Sequence, residues 1–312
     1  MQRFDLVLDW VPNVQFAGPC WALANGIYRD SGIDLRLVPW QEDGRTIIDK
    51  TLARDVPAAG SSEDNLVIGA RARGEAQVRG LAAMFLTTPL VVMSLPQTGI
   101  ATLGDLRGKR VAMHCDGIRI LESMLEAAGI DRDALEIGEV THDLGNLTSG
   151  RWDAVQGYAV SEPLELGTRG VTVNTLTLRS PVLHPYAQVI FAMDGAVAAA
   201  PDLYRTALAA TFQGWDAAIR DLKGAAAAIR AVGMPMADAE REQDALASVS
   251  RLVRGGSADM ARGLGVIDPE RWSSNVAAYV RAGIIPAGTA PLGALDPDLW
   301  QGPADAGTGA RT

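Results

Sequence analysis

FDLVLDWVPNVQFAGPCWALANGIYRDSGIDLRLV, residues 4–38, is the stretch from which the fold can be read. Phe4–Leu8 is apolar enough for a buried strand, Cys20–Tyr28 has the composition of a helix, and Ile33–Val38 is a second strand after the Ser31-Gly32 break. Strand, helix and strand in that order build a parallel pair, because parallel neighbours need a crossover long enough to hold a helix. The alternation continues with a helix at Thr46–Ala53, a short strand at Val56–Ala59 and a helix at Glu63–Arg73 closed by Gly74. Gln77–Met84 and Leu90–Leu95 are further strands. The pattern then restarts.

In the second half of the pattern Lys109–Met113 is a strand and Gly117–Ala128 a helix. Ile118, Leu121, Met124, Leu125 and Ala128 give that helix one apolar face, with Asp116 expected as its N-cap and Gly129 as its stop. Leu135–Val140, Ala154–Tyr158 and Val171–Asn174 continue the α/β alternation, and Gln188–Met193 has the look of a strand returning to the first sheet. From Pro201 the chain is mainly helical, with Tyr204, Leu208, Phe212, Trp215 and Ile219 in one stripe and Asp268-Pro269 starting another helix. The economical reading is an α/β chain in which residues 93–189 form a lobe inserted into a first lobe of residues 1–92 and 190–312. The two crossings are expected near Leu90–Leu95 and Ala187–Met193.

With 312 residues, 48% of them hydrophobic and 21% charged, the chain can bury two proper cores. A net charge of −9 argues against nucleic acid or an anionic membrane as partner, since both select a basic face. No apolar run is long enough to span a bilayer. Cys20 and Cys115, the only cysteines, have no zinc spacing, and the sequence leaves open whether they pair. No phosphate-binding glycine loop is present, so no cofactor is expected, and His114 has no second His or carboxylate at ligand spacing nearby, so no metal is expected either. MQRFDLVLDW runs straight into a strand, which fits either a cytoplasmic protein or one whose export signal has been removed.

Several stretches together resemble a known family. Leu8-Asp9-Trp10-Val11-Pro12-Asn13, Ala17-Gly18 and Ala24-Asn25-Gly26-Ile27-Tyr28 are similar to the opening of the thiamine-pyrimidine-precursor-binding proteins, relatives of the nitrate-, sulfonate- and taurine-binding proteins. Leu103–Val111, then Gly150–Ala154 with Gly157-Tyr158 and Glu162-Pro163, then Gly265–Asp268 with Trp272 and Gly283-Ile284, match in the same order. The resemblance implies a type II periplasmic-binding-protein fold: two lobes, each a mostly parallel sheet flanked by helices, joined by a two-crossing hinge. It also implies an exported, monomeric solute-binding component of an ABC importer, with a small-molecule ligand, a membrane permease as partner and no catalytic residue. The leading ligand is an aminopyrimidine thiamine precursor; a flavin, another heterocycle or a sulfonate-type anion stays open.

Ligands of open α/β sheets bind outside the carboxyl ends of the strands, which selects the candidate residues. Trp10 and Asn13 follow the first strand; an indole there stacks on a heterocycle and an amide reads its ring nitrogens. The simpler alternative is that Trp10 packs in the core and Asn13 shapes a turn. Phe16 and Trp40 are candidates for a second wall, with core roles equally open. Ser61 and Ser62 open the helix after the third strand, where they either bind an acceptor or merely cap. His114 and Asp116 hold the matching place in the second lobe, although a lone histidine is commonly structural and Asp116 serves equally as a cap. Tyr158 and Glu162 match the family's Tyr and Glu-Pro element; a carboxylate there accepts from amino or ring N–H groups, or else only faces a helix dipole. Tyr186 is a candidate for a lid edge beside His184 and Pro185.

Two enzymes compete with this reading. A thiamine-pyrimidine synthase of the same family needs a Lys and a His where this chain has Ser62 and Leu66, and a cysteine-rich run that is missing before the return strand. A hydrolase or desulfinase on the same fold would use Cys20, near a helix start, as nucleophile. A cytoplasmic sensor is a third possibility, though no DNA-binding motif is attached.

Overall fold

The computed structural model describes residues 1–139, 143–232 and 239–303, the side chains of 115, 116 and 239–242 excepted. The strands among them are β1 Gln2–Val7, β2 Ile33–Val38, β3 Ala58–Ser62, β4 Val78–Phe85, β5 Leu90–Ser94, β6 Arg110–Met113, β7 Glu136–Glu139, β8 Ala154–Tyr158, β9 Asn174–Thr177 and β10 Ala187–Met193. They form two five-stranded sheets, in the orders β2-β1-β3-β10-β4 and β7-β6-β8-β5-β9. β1 is parallel to β2 and β3, and β6 is parallel to β7 and β8. One strand in each sheet is reversed: β10 runs antiparallel between β3 and β4, and β5 antiparallel between β8 and β9. These are the two strands that enter their sheet directly from the other one, without the helical crossover a parallel neighbour requires. The crossings lie between Phe85 and Leu90 and between Thr177 and Ala187.

Several local expectations shift by a few residues, each for an identifiable reason. The helix expected over Cys20–Tyr28 is two, Ala17–Ala24 and Ile27–Asp30, because Gly26 takes a left-handed φ of 74° and ends the first. β3 runs through Ser62, so Ser61 and Ser62 are strand residues rather than a loop. β9 starts at Asn174, where Val171–Asn174 was expected. The helix Cys115–Ala127 is capped by His114 in extended conformation, so Asp116 lies inside the first turn and is not the cap. Asp268 does cap Pro269–Arg281, its side chain accepting from the Glu270 N–H.

The first sheet packs its core against the long helix Pro201–Ala218, whose stripe Tyr204, Leu208, Phe212 and Trp215 is buried. Phe4 meets Tyr204 edge-on at 5.2 Å and Phe85 meets Trp215 at 6.1 Å. The Ala17-Gly18 pair has its physical reason here. A Cβ on Gly18 would lie 2.3 Å from the Trp215 ring, and one on Gly214 would lie 2.2 Å from the Gly18 carbonyl oxygen. The two glycines let the helices touch backbone to backbone.

The return crossing is anchored by a buried polar network around Asp64. Its carboxylate accepts from the Tyr186 N–H at 3.0 Å, Asn275 Nδ2 at 2.9 Å and the Tyr279 hydroxyl at 2.9 Å. Asn275 also exchanges two hydrogen bonds with the backbone of His184, each 3.0 Å. Burial pushes the Asp64 carboxyl up to about 6 despite these donors, and burial likewise pushes His184 down to about 4. No described helix is long and apolar enough to cross a membrane.

Candidate functional site

The carboxyl ends of β1, β3, β6 and β8 and the start of β10 converge on a cleft of ≈ 840 Å³, within the range of small-molecule sites. Both sheets line it. From the first sheet come Asp9 and Trp10 after β1, Ser62 and Glu63 at the end of β3, and Gln188 at the start of β10; Trp40 follows β2. His114 after β6, Gln156 and Tyr158 in β8, and Glu162 at the next helix start come from the second.

The aromatic wall is braced locally. The Trp40 N–H donates to the Trp10 carbonyl at 3.3 Å, and the Lys50 ammonium sits 3.6 Å from the centre of the Trp40 ring. Lys50 is in turn paired with Asp43 at 3.0 Å, and Arg45 beside Asp43 holds that carboxyl well below the usual carboxylate range. The rim loop is thereby tied to the indole it carries.

The polar floor is a chain of side chains. Ser61 Oγ donates to Asp9 Oδ1 at 3.0 Å and accepts from the Asp9 N–H at 3.2 Å. Gln188 Nε2 donates to Asp9 Oδ2 at 3.1 Å. Gln188 has φ 51°, and among described residues no other non-glycine has a positive φ. That conformation costs roughly 1–3 kcal/mol, and strain of this kind gathers at functional sites. On the facing wall Gln156 Oε1 accepts from the His114 N–H at 3.0 Å, and Glu162 accepts from the Tyr158 N–H at 2.7 Å. The Tyr158 hydroxyl reaches across to donate to Glu63.

Of the residues expected from sequence, Trp10, Trp40, Ser62, His114, Tyr158 and Glu162 share this cleft. Asn13 does not line it; its side chain accepts from the Gln15 N–H at 2.8 Å and shapes the turn, the simpler of its two expected roles. Phe16 is fully buried in the core of the first sheet. Ser61 is buried behind Asp9, which it orients. Tyr186 is fully buried too, its hydroxyl accepting from the Asp268 N–H at 2.9 Å and its ring under Arg271 at 3.8 Å, so it secures the crossing and forms no lid edge. The Asp116 side chain lies outside the described residues.

Asp9, Glu63, Arg119, Gln156 and Gln188 line the cleft and were not anticipated. Asp9 stood inside the recognised opening motif, and Gln156 is a polar residue in an otherwise apolar buried strand; both were visible signals. Gln188 had none, because its place depends on strand pairing. Cys20 is buried in the first core, absent from the cleft lining, and its thiol is pushed up to about 12 by burial. Among the described side chains no group of three His, Cys, Asp or Glu has the arrangement to hold a metal ion.

Two α/β sheets meeting across a ligand-sized cleft, with two chain crossings between them, define a periplasmic-binding-protein fold. The chain belongs to the NMT1/THI5 like family, whose model matches residues 13–225. It is 24% identical over 229 residues to a riboflavin-binding protein, RibY, of Chloroflexus aurantiacus, covering 69% of this chain and 62% of that one. It is 28% identical over 164 residues to a formylaminopyrimidine-binding protein of Halalkalibacterium halodurans, covering 52% and 49%. The alignments thus span about half to three fifths of these relatives' lengths. Among solved structures, the alkanesulfonate-binding protein SsuA of Xanthomonas axonopodis pv. citri bound to MOPS superposes with a TM-score of 0.70 at 10% identity, covering 95% and 98% of the two chains. The desulfurization enzyme DSZB superposes with 0.60 at 14% identity, covering 96% and 97%. At these identities the structural likeness establishes the fold alone.

Proposed function

We propose that this chain is the solute-binding component of an ABC importer and captures a small planar nitrogen heterocycle by closure of two lobes. The lobes are the units built around the two sheets, one of the chain up to Phe85 and from Ala187 onward, the other from Leu90 to Thr177. The expected division at 92/93 and 189/190 shifts because β5 lies wholly in the second sheet and β10 wholly in the first. The observation that carries the reading is the make-up of the cleft: indoles Trp10 and Trp40 on one side, Tyr158 and Glu162 on the other. Flat aromatic faces stack on a heterocycle, and a desolvated carboxylate accepts from its N–H groups. A ligand touching both walls favours the closed form by its difference in affinity for the two forms, and a membrane permease reads that form. The protein acts outside the cytoplasmic membrane in this reading.

The relatives named for riboflavin and formylaminopyrimidine support this chemical class. An aminopyrimidine thiamine precursor is the leading ligand and riboflavin the next. The enzyme readings are weaker. The positions that correspond to the synthase Lys and His are Ser62 and Leu66, both in the cleft lining and neither supplying its reactive group. A thiol as buried as Cys20 has no route to a substrate in the cleft.

The test is a thermal-shift screen with 4-amino-5-hydroxymethyl-2-methylpyrimidine, riboflavin, alkanesulfonates and nitrate, followed by calorimetry. A true ligand raises the melting temperature with concentration by mass action. Stabilisation by sulfonates or nitrate alone refutes the heterocycle reading, and turnover of any added compound revives the enzymes.

A further inference from the structure

We infer that Gln188 and Ser62 form a reading edge for a ligand that presents an N–H donor beside a ring-nitrogen or carbonyl acceptor. The inference rests on the proposed function and narrows its ligand class. Gln188 is 1% exposed and lines the cleft, and its Oε1 is buried without a hydrogen bond. Ser62 is likewise 1% exposed, lines the same cleft, and its Oγ has no partner. Buried polar groups are rarely left unpaired, so two in one ligand-sized cleft mark where a ligand completes the bonding.

The orientation of the amide follows from chemistry. A carboxylate only accepts, so Asp9 Oδ2 must face Gln188 Nε2, and the carbonyl end is the end left over. Ser61 fixes Asp9 in turn through its own hydrogen bond to Oδ1. The Gln188 oxygen is therefore a locked acceptor, which demands a donor from the ligand. The Ser62 hydroxyl rotates and supplies the complementary donor.

The backbone sets the two residues one register step apart on neighbouring strands, at the same end of the sheet. Val189 pairs with Ser62 across β10 and β3, which sets Gln188 beside the end of β3. The left-handed φ of Gln188 favours glycine or asparagine, so retaining glutamine there is a cost that the cleft chemistry explains. An aminopyrimidine, with its amino group next to a ring nitrogen, and a flavin imide, with N–H next to C=O, both present the required edge. A sulfonate or nitrate presents only acceptors and meets the Gln188 oxygen with repulsion.

The test pairs ligands in which N-methylation removes the donor, and the Gln188→Met variant separates that loss from the added bulk. Affinities are measured by calorimetry for 4-amino-2-methylpyrimidine against its 4-dimethylamino analogue, and for riboflavin against N3-methylriboflavin. The variants are wild type, Gln188→Met, Gln188→Asn and Ser62→Ala, with circular dichroism to establish folding. Wild type is expected to prefer the unmethylated member of the bound pair by about 10- to 100-fold. Gln188→Met is expected to lose that preference and Gln188→Asn to retain part of it. Should Gln188→Met not fold, Ser62→Ala, expected to weaken the unmethylated ligand about tenfold, carries the test with the wild-type ratio. Equal binding of both members by wild type overturns this inference and leaves the proposed function standing. Failure of wild type to bind either heterocycle overturns both.

Discussion

The Tyr158 hydroxyl donates a hydrogen bond to the Glu63 carboxylate, and the bond ties β8 of one sheet to the end of β3 in the other. It is a direct side-chain link across the cleft, made by a residue expected from sequence as a ligand contact. Tyr158→Phe removes the donor while keeping the ring. Its expected effect is ligand affinity about 10- to 100-fold weaker, the worth of a hydrogen bond to a charged group, with a lowered melting temperature as well, because the buried Glu63 carboxylate loses a donor. Calorimetry on the variant checks it; affinity equal to wild type would mean that the link contributes nothing to closure.

Gly18→Ala tests the contact between the helices Ala17–Ala24 and Pro201–Ala218. The added methyl meets a fully buried Trp215 at 2.3 Å, with no solvent side to which the indole can swing. Overpacking of this kind costs roughly 1–3 kcal/mol or more. A clear fall in the chemical-denaturation midpoint is expected.

Gly117→Ala acts on the cleft itself. Its Cβ would fall 2.0 Å from Gln156 Oε1, the atom that accepts from the His114 N–H. Either Gln156 leaves that bond or the helix start moves, and a lost buried hydrogen bond costs about 1–3 kcal/mol. The variant is expected to lower both stability and ligand affinity, read by denaturation and calorimetry together.

Asp64 and His184 predict opposed dependences of stability on pH. The folded Asp64 value, about 6, lies above the ordinary 3.8, so its favourable contribution is complete below pH 4 and disappears as pH rises through 6. His184 has its folded value depressed from 6.5 to about 4, so its contribution is complete above pH 6.5 and is lost as pH falls through 4. The two largely offset each other between pH 4 and 6 in the wild type. Asp64→Asn is expected to leave a stability curve rising with pH over that window, and His184→Gln one falling with pH. Urea midpoints at half-unit pH intervals decide; parallel curves for both variants would count against the assignment.

Cys20→Ala separates binding from catalysis. Removing a buried thiol costs about 1 kcal/mol of stability, and ligand affinity is expected to stay within about twofold of wild type. A large loss of any measured turnover in this variant would restore the nucleophile reading of Cys20.

What was legible in the sequence was local. The apolar run of β1, the glycine and serine break before β2, the stripe on Pro201–Ala218 and the Asp268-Pro269 cap are all written within a few residues of where they act. Position at a strand end pointed to Trp10, Trp40, Ser62 and His114 as cleft candidates, with core or capping roles left open, and the family resemblance added Tyr158 and Glu162. Phe16 and Tyr186 misled because an aromatic residue near a strand end has two destinations, core and cleft, with the same composition.

The tertiary structure alone decided the relationships between distant parts of the chain. Asp9 and Gln188 are 179 residues apart, Glu63 and Tyr158 95, and Asp64 and Tyr279 215. Periodicity and capping report forces along one element, so they specify strands and helices. Which side chains face each other depends on how strands pair and how the two sheets meet, and no short-range pattern in the sequence encodes that.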